Sequence, residues 1–470
     1  MYEERIRAYF DDPAVRERLI AAVSRLVSVR SVREAPLPGM PFGPGPAAAL
    51  KESLSLCGEL GFTTENVDNY VGVAALGDGP VGLHILGHLD VVHEGKGWTV
   101  TEPYSPKVVD GVLYGRGVAD DKGPVVAALF AMWAVKELNL PLKQSVRLIM
   151  GTDEECGSSD IAYYYKDHPF APHTFTPDAD FPLINIEKGH FFPDFGSAWT
   201  ESAALPRVAA LKGGIRANVV PPEAEAVVLG LDRAAAESVC AAVAAATGAK
   251  LEITGTEREI TILCKGKNAH AAGPGAGINA IQALLEALAK LPLAECGSTA
   301  AIRGMNALFP FGDWRGEALG IAQRDEKSGE LTLNLAIMEL EETGFTAKFD
   351  SRTPLCATEA NCKTVCEASM ARYGISVTEN FMWPPHEVPG DSEFVKTLLH
   401  CYEIYTGVKD AQPIAIGGGT YVHNIPGGVA FGCEMPGATP NMHGADEQIP
   451  VEDLMTSAKI FAQAIVEVCG

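Results

Sequence analysis

Short apolar runs alternate with helix-like segments through the first part of the chain, and this alternation most constrains the fold. Val81–Leu86, Ser145–Met150 and Phe181–Ile186 have the length and composition of buried strands. Val125–Glu137 has the pattern of a helix, with Pro124 at its first turn. Strands that alternate with helices predict an α/β sheet with helices packed on both faces.

Carboxylate and histidine side chains follow these apolar runs directly. His88 and Asp90 lie just beyond the first run, and Glu154 and Glu155 lie beyond the second. The other members of this set are Asp120, Asp178 and His443. Because ligand sites of open α/β sheets form at the carboxyl ends of strands, we expect these side chains to meet. Such nitrogen and oxygen ligands suit divalent zinc, cobalt or manganese.

Two metal ions are compatible with this set. Two histidines and three carboxylates are too few to close two separate structural sites, but they hold two ions if one carboxylate bridges them. Of the neighbouring pair Asp120 and Asp121, we expect Asp120 to face the metals and Asp121 to cap the following helix. Glu154 and Glu155 diverge at a strand end, so one can bind metal while the other transfers a proton from water to a leaving amine. A two-metal site with a free carboxylate is typical of hydrolases.

Each cluster has a plainer explanation when it is taken alone. His88 and Asp90 could lie on a solvent-facing loop, and Glu154 and Glu155 could form an ordinary acidic loop. If His88 is a ligand, the carboxylate of Asp90 can accept its second ring N–H and fix its tautomer. The metal hypothesis depends on the whole set, because the clusters all follow apolar runs of one α/β region.

Composition disfavours several classes of partner. The net charge of −23 argues against nucleic acid, whose binding depends largely on Lys and Arg. No apolar stretch is long enough to cross a bilayer, so we predict no membrane partner. The 11 cysteines follow no regular framework and the first residues lack an apolar signal core, so we expect a cytoplasmic protein.

The pattern changes near residue 187. Leu331–Leu340 and Phe345–Ser351 have the pattern of paired antiparallel strands joined by a turn. Further strands are predicted at Arg216–Gly230 and Glu259–Gly266. The sequence therefore predicts an inserted α+β domain at 188–384, within a discontinuous α/β domain formed by 1–187 and 385–470.

The inserted domain contains three candidate substrate ligands beside predicted strands. Asn218 and His270 carry groups that can polarise a carbonyl or hold an oxyanion. Arg352 could bind a substrate carboxylate through two parallel hydrogen bonds. Asn and Arg are also common at strand ends without any such role.

The ordered set of polar clusters resembles the co-catalytic zinc peptidases, which include aminoacylases, carboxypeptidase G and carnosinases. The segments that carry the resemblance are Gly87–Asp90, Gly115–Gly123, Gly151–Glu155, Thr176–Asp180 and the late His443. Within that superfamily the chain is most similar to the peptidase V branch of bacterial dipeptidases, through Arg116–Pro124, Phe175–Phe181 and Gly417–Tyr421.

The resemblance implies a role for each residue of the set. Asp120 would bridge two zinc ions, for which manganese or cobalt could substitute. His88 and Asp178 would complete the ligands of one ion, and Glu155 and His443 those of the other. Glu154 would be the general base and acid, and Asp90 would orient His88. Asn218, His270 and Arg352 would bind the substrate.

The implied activity is metal-dependent hydrolysis of dipeptides. One alternative is an N-acyl amino-acid deacylase or desuccinylase of the same superfamily, and another is a metal- or peptide-binding protein without catalysis. His423 stands where relatives usually have Arg after the glycine run, which leaves the anchoring of the substrate carboxylate open.

The resemblance also bears on assembly. In many relatives the partner of a dimer supplies a lid histidine, whereas the peptidase V branch has a larger lid. Here the insertion contains two strand-and-helix sets, Arg216–Gly266 and Leu331–Tyr373. The second set could replace a partner's lid, so we expect a monomer with all catalytic parts in one chain.

Overall fold

The computed structural model describes residues 2–256 and 258–470. The chain divides into two compact units. The first runs to Ile186 and resumes over Glu387–Ile414 and Gly419–Gly470. The second comprises Glu187–His386 together with the short segment Ala415–Gly418, which the sequence did not assign to it.

A mixed sheet forms the centre of the first unit and confirms the predicted α/β class. Its strands, in spatial order, are Thr63–Val67, Val71–Leu76, Ser145–Gly151, Val81–His88, His173–Thr176, Gly428–Ala430, Ile184–Glu187 and His386–Glu387, and Ile414–Ile416 also pairs with Ile184–Glu187. Ser145–Gly151, Val81–His88 and His173–Thr176 are parallel neighbours. Parallel strands end at the same edge of a sheet, so the segments that follow these three strands are brought together.

Helices surround this sheet in two layers of contact. Those that contact its strands directly are Pro44–Glu59, Lys122–Glu137, Ser159–Tyr164 and Val451–Cys469, and those that pack on other helices are Tyr2–Phe10, Pro13–Val27 and Glu393–Thr406. Helix Lys122–Glu137 is buried on every side from Lys122 to Val135, as its continuous run of apolar residues predicts. It packs against Val451–Cys469 and against the central strands, which fixes the position of its first turn relative to the strand ends.

Two small sheets complete the first unit. Lys107–Val109, Val112–Tyr114 and Gln448–Pro450 form an antiparallel sheet, which joins the start of the closing helix to the segment before Asp120. Ala179–Asp180 and Cys433–Glu434 form a short parallel pair just after Asp178. Both sheets therefore hold segments that flank candidate ligands.

An antiparallel sheet forms the second unit. Its strands, in spatial order, are Lys250–Thr256, Glu259–Lys265, Glu223–Leu229, Arg207–Gly213, Thr332–Glu341, Gly344–Thr353, Gly189–Ala198 and Ser376–Trp383. Arg324–Asp325 and Gly329–Glu330 form a separate two-stranded hairpin. The helical segments are Arg233–Thr247, Pro274–Ala276, Ala280–Lys290, Gly297–Leu308 and Glu359–Lys363, which is a π-helical turn that continues into Thr364–Ala371.

Most predicted elements of the second unit are confirmed, but one predicted strand is wrong in part, and the strands Gly189–Ala198, Arg207–Gly213, Lys250–Thr256 and Ser376–Trp383 were not predicted. Thr332–Glu341 and Gly344–Thr353 pair as predicted. The predicted strand Arg216–Gly230 is wrong over its first half, because the strand begins only at Glu223 and the residues before it form a loop. Helix Gly297–Leu308 was not predicted at all.

Two further observations concern the whole described chain. None of the helices in residues 2–256 and 258–470 is both long enough and apolar enough to cross a membrane. All 11 cysteines lie within this part of the chain, and all of them are free thiols. Most of these thiols are buried, where they behave as small apolar side chains.

Candidate metal centre

The strand ends of the first unit bring the predicted residues together. His88 is the last residue of its strand, Glu154 and Glu155 begin a short 3₁₀ turn after Ser145–Gly151, and Asp178 follows His173–Thr176. Asp120 precedes helix Lys122–Glu137, and His443 lies on the loop before Gln448–Pro450.

Two groups of ligand atoms share one residue. His88, Asp120 and Asp178 form the first group, and Asp120, Glu155 and His443 form the second, with the ligand atoms of each group within 4.8 Å of one another. Nε2 of His88 lies 2.9 Å from Oδ1 of Asp120, and Nε2 of His443 lies 3.0 Å from Oδ2. The two oxygens of Asp120 therefore face different histidines, which is the geometry that a bridging carboxylate requires.

The surroundings of His88 favour the tautomer that can bind a cation. Its Nδ1 lies 3.0 Å from the carbonyl oxygen of Asp90, so a proton on Nδ1 is donated there. The buried Nε2 lies 2.9 Å from Oδ1 of Asp120 but makes no hydrogen bond with any of the described residues. An unprotonated Nε2 that lies 3.4 Å from Asp178 as well is suited to bind a cation.

Buried negative charge dominates the electrostatics of the site. Burial and the neighbouring Asp120 carboxylate raise the pKa of Glu155 to about 7. Burial also raises the pKa of Asp178, and Asp120 contributes to that shift. Contacts with Asp120 and Glu155 raise the pKa of His443 to about 11. Such mutual repulsion between buried carboxylates is relieved by bound cations, which are often the largest local charges in a site.

Asp90 fixes the turn that carries the two glutamates. Its carboxylate oxygens accept hydrogen bonds from the backbone N–H groups of Glu154 and Glu155, each at 3.1 Å. The same carboxylate lies 3.5 Å from Nδ1 of His88. The backbone carbonyl of Asp90, and not its carboxylate, is the hydrogen-bond partner of that nitrogen. The contacts of Asp90 thus extend to both the histidine and the glutamate turn.

Glu154 belongs to neither group of ligand atoms. Burial raises its pKa well above the ordinary value, and the nearby carboxylates of Asp178, Glu155 and Asp120 add to the shift. A raised pKa suits a group that accepts a proton and then gives it away. The carboxylate of its neighbour Glu155 lies 3.2 Å from Nε2 of His443, within the second group of ligand atoms.

The predicted helix cap at Asp121 is wrong. Asp121 occupies the position before helix Lys122–Glu137, but its side chain makes no capping hydrogen bond. Its Oδ2 instead accepts a hydrogen bond from the backbone N–H of His88, at 2.9 Å. This approach needs Gly87, because a Cβ there would lie 2.7 Å from that carboxylate oxygen and 2.4 Å from Val125.

A second buried acid supports the glutamate turn and was not predicted. Oδ2 of Asp160 accepts hydrogen bonds from the amides of Thr152 and Asp153 and from the hydroxyl of Tyr421. Tyr421 also lies edge-on to the ring of His88, with ring centroids 6.2 Å apart. The only sequence signal for this pair was the position of Tyr421 directly after the glycine run.

The candidate substrate ligands lie in the second unit. The carbonyl of Asn218 accepts a hydrogen bond from the amide of Ala271, next to His270, and the side chains of Asn218 and His270 are both exposed. Arg352 is buried, and its Nε and NH2 groups donate to the two oxygens of Asp350 at 2.8 and 2.9 Å. The fork expected to hold a substrate carboxylate is therefore occupied by Asp350.

The residues of the first unit fit divalent cations. The two ligand groups combine imidazole nitrogen with carboxylate oxygen, the donor set of zinc sites, and three protein ligands per ion leave positions for water or substrate. The orphaned Nε2 of His88 and the cluster of buried carboxylates around Asp120 are explained by cations at these positions.

The sequence of this chain is similar to those of known peptidases. The family model described as Peptidase family M20/M25/M40 matches residues 84–467. The chain is 36% identical to the putative dipeptidase YtjP of Bacillus subtilis, covering 96% of this chain and 97% of that protein. It is 33% identical to the Beta-Ala-Xaa dipeptidase of Lactobacillus delbrueckii subsp. lactis, covering 91% of this chain and 90% of that protein.

A solved structure has the same fold. Human carnosine dipeptidase 1 superposes with a TM-score of 0.57 at 17% sequence identity, covering 100% of this chain and 99% of that chain. The match of the family model over most of the chain and the identity to its curated relatives confirm the resemblance drawn from the polar clusters. This chain therefore belongs to the peptidase family M20/M25/M40.

Proposed function

We propose that this protein hydrolyses the peptide bond of dipeptides with the help of two divalent metal ions. The observation that carries the proposal is Asp120, whose two carboxylate oxygens face two different histidines. Membership of a peptidase family and two relatives named as dipeptidases support the reaction class.

Five side chains would hold the ions. His88, Asp120 and Asp178 would bind one ion, and Asp120, Glu155 and His443 would bind the other. Zinc is the native metal in this proposal, because nitrogen and oxygen donors in sets of three are its usual catalytic ligands. Manganese and cobalt are accepted by the same donors and would substitute.

Glu154 carries the proton in the proposed mechanism. Ions held by His88, Asp120, Asp178, Glu155 and His443 would supply positive charge that lowers the pKa of a water and polarises a carbonyl. Glu154 takes the proton of that water and then gives it to the departing amine, so one side chain serves as base and acid. Asp90 holds Glu154 in place for both transfers, because it binds the backbone amide of that residue.

The second unit is proposed to bind the substrate through Asn218 and His270, while Arg352, whose Nε and NH2 groups bind Asp350, is proposed to act as a structural support. The backbone link between Asn218 and Ala271 keeps the exposed amide and imidazole near each other. Arg352 is held rigidly by Asp350, and Thr332, its neighbour on the next strand, donates to the carbonyl of Ala271. Rigid placement of polar groups favours recognition because little side-chain freedom is lost on binding.

A substrate screen tests the proposed activity against its closest alternative. Free dipeptides should be hydrolysed faster than N-acyl amino acids by apo-protein supplied with zinc, manganese or cobalt in turn. The names of the relatives favour this order over deacylation. A preference for N-acyl substrates would favour a deacylase, and binding of peptides without turnover would favour the non-catalytic alternative.

We also propose that one chain contains all the catalytic parts and works as a monomer. The two strand-and-helix sets of the second unit are joined in a single sheet, through the pairing of Arg207–Gly213 with Thr332–Glu341. A second set within the same sheet can take the place of a partner's lid.

Mixing two inactive variants tests the monomer. His270→Ala lacks the proposed substrate imidazole and Glu154→Gln lacks the proposed base, so a mixture should remain as inactive as either variant alone. Dipeptide hydrolysis is measured after long co-incubation of the two variants. The controls are the two variants incubated separately, each at the total protein concentration of the mixture. Recovered activity would mean that His270 acts in the active site of another chain.

We propose a cytoplasmic location for the protein. Free thiols persist in reducing compartments, and every cysteine of the chain is a free thiol. Cell fractionation tests this location, and recovery of the protein with secreted markers would contradict it.

A further inference from the structure

A buried ion pair joins two segments that carry candidate ligands. NH1 of Arg116 donates to Oε2 of Glu447 at 2.6 Å, and both side chains are almost completely inaccessible to solvent. NH2 of Arg116 donates to the carbonyl of Gly444, the residue after His443, at 2.9 Å. Arginine presents its donors in a fixed planar fork, so one guanidinium holds both acceptors in a defined relative position.

Glu447 extends this connection to Asp120. Its Oε1 accepts hydrogen bonds from the amides of Gly117, Ala119 and Asp120, at 3.0, 3.0 and 3.2 Å. One oxygen thus organises the loop that ends at Asp120, while the other oxygen binds Arg116. A carboxylate that accepts several N–H hydrogen bonds and pairs with a cation is well satisfied despite its burial.

The backbone at His443 is not set by burial or by ordinary conformational preference. Its side chain is 51% exposed, and its φ of 63° lies in the left-handed region that non-glycine residues rarely adopt. Such a conformation persists only where surrounding contacts enforce it. The hydrogen bond from Arg116 to the next residue, Gly444, is such a contact.

We propose that Arg116 and Glu447 are positioning residues that hold His443 against the second carboxylate oxygen of Asp120. The pair fixes the carbonyl beside His443 on one side and the amide of Asp120 on the other. This proposal rests on the proposed two-ion function and adds residues that would touch neither metal nor substrate. The ion bound by His443 and Glu155 should depend on the contact of Arg116 with Gly444, and the ion bound by His88 and Asp178 should not.

Arg116→Lys tests the pair with little change in charge. Lysine keeps a cation for Glu447 but lacks the planar fork that also reaches Gly444. The variant should bind the His443 ion about tenfold more weakly or worse, as for other residues that orient metal ligands. Both proteins are dialysed against a chelator buffer that leaves two ions on the wild type. After this dialysis the metal content of Arg116→Lys should be one ion per chain. Arg25→Lys is a matched control, since Arg25 binds Glu52 and Glu59 in the same unit and does not contact the ligands.

Double variants identify which ion is lost. Adding Arg116→Lys to His443→Ala should remove no further metal, because both changes weaken the same ion. Adding it to His88→Ala should remove the remaining ion. If Arg116→Lys does not fold, Glu447→Gln serves instead, because it keeps an oxygen for the three amides and loses the charge that Arg116 binds.

The outcomes separate the positioning role of Arg116 and Glu447 from the proposed function. If the wild type retains two ions and Arg116→Lys also retains two, the positioning role is wrong while the function stands. The positioning role is also wrong if Arg116→Lys removes the same amount of metal from His443→Ala as from His88→Ala. Such equal losses would indicate a general structural effect. If the wild type itself retains fewer than two ions, the proposed two-ion function fails and the positioning role fails with it.

Discussion

Glu154→Gln should keep both metal ions and lose turnover by a factor on the order of 10² or more. Glutamine has nearly the same shape as glutamate, and Glu154 belongs to neither group of ligand atoms. Its amide cannot take a proton from water and return it to the leaving amine. Steady-state hydrolysis of a dipeptide, together with metal analysis of the same sample, checks both parts of this expectation.

Glu155→Gln is the matched control for that variant. The adjacent residue receives the same substitution, but its carboxylate lies with Asp120 and His443 in a ligand group. We therefore expect Glu155→Gln to lose metal and Glu154→Gln to lose only turnover. The reverse pattern would mean that the roles of the two glutamates are exchanged, and full activity in Glu154→Gln would remove it from the mechanism.

The fold class could be predicted because the strands and helices of the first unit are recognisable from local sequence patterns. Buried parallel strands appear as short apolar runs, and the buried helix Lys122–Glu137 appears as a longer one. Some predicted elements begin or end a few residues away from the observed ones. The predicted order of strands and helices was still enough to indicate an α/β sheet with an α+β insertion.

Helix Gly297–Leu308 could not be predicted because it contains glycines that pack closely against side chains distant in sequence. Gly297 and Gly304 lower its helix propensity. Gly297 is needed, since a Cβ there would lie 2.1 Å from the ring of Trp199, and a Cβ at Gly304 would lie 3.1 Å from Tyr373, which is a tight contact. Neither contact can be inferred from the local pattern.

The candidate ligands were accessible to sequence reasoning for a physical reason. Functional side chains of α/β sheets lie at strand ends, so acids and histidines after apolar runs are natural candidates. No roles were assigned to Asp160, Tyr421, Arg116 and Glu447, because their contacts with backbone amides, carbonyls and other side chains form only in the folded chain. The hydrogen bonds that Arg352 donates to Asp350 are likewise visible only in the structure.

Asp120→Ala should be the most damaging change among the ligands. One carboxylate serves both groups, so its removal takes a ligand from each ion and leaves His88 and His443 without a common partner. His88→Ala removes a ligand from only one group. Because catalysis in two-metal sites depends on both ions, Asp120→Ala should also abolish measurable dipeptide hydrolysis.

The metal content of three purified proteins tests the two-ion claim most directly. Wild type, His88→Ala and Asp120→Ala are dialysed against the same chelator buffer, separated by gel filtration and analysed for metal per folded chain. We predict two ions for the wild type, about one for His88→Ala and nearly none for Asp120→Ala, because Asp120 bridges the two groups. Equal loss of a single ion in both variants, or a wild type that retains fewer than two ions, would contradict a bridged pair.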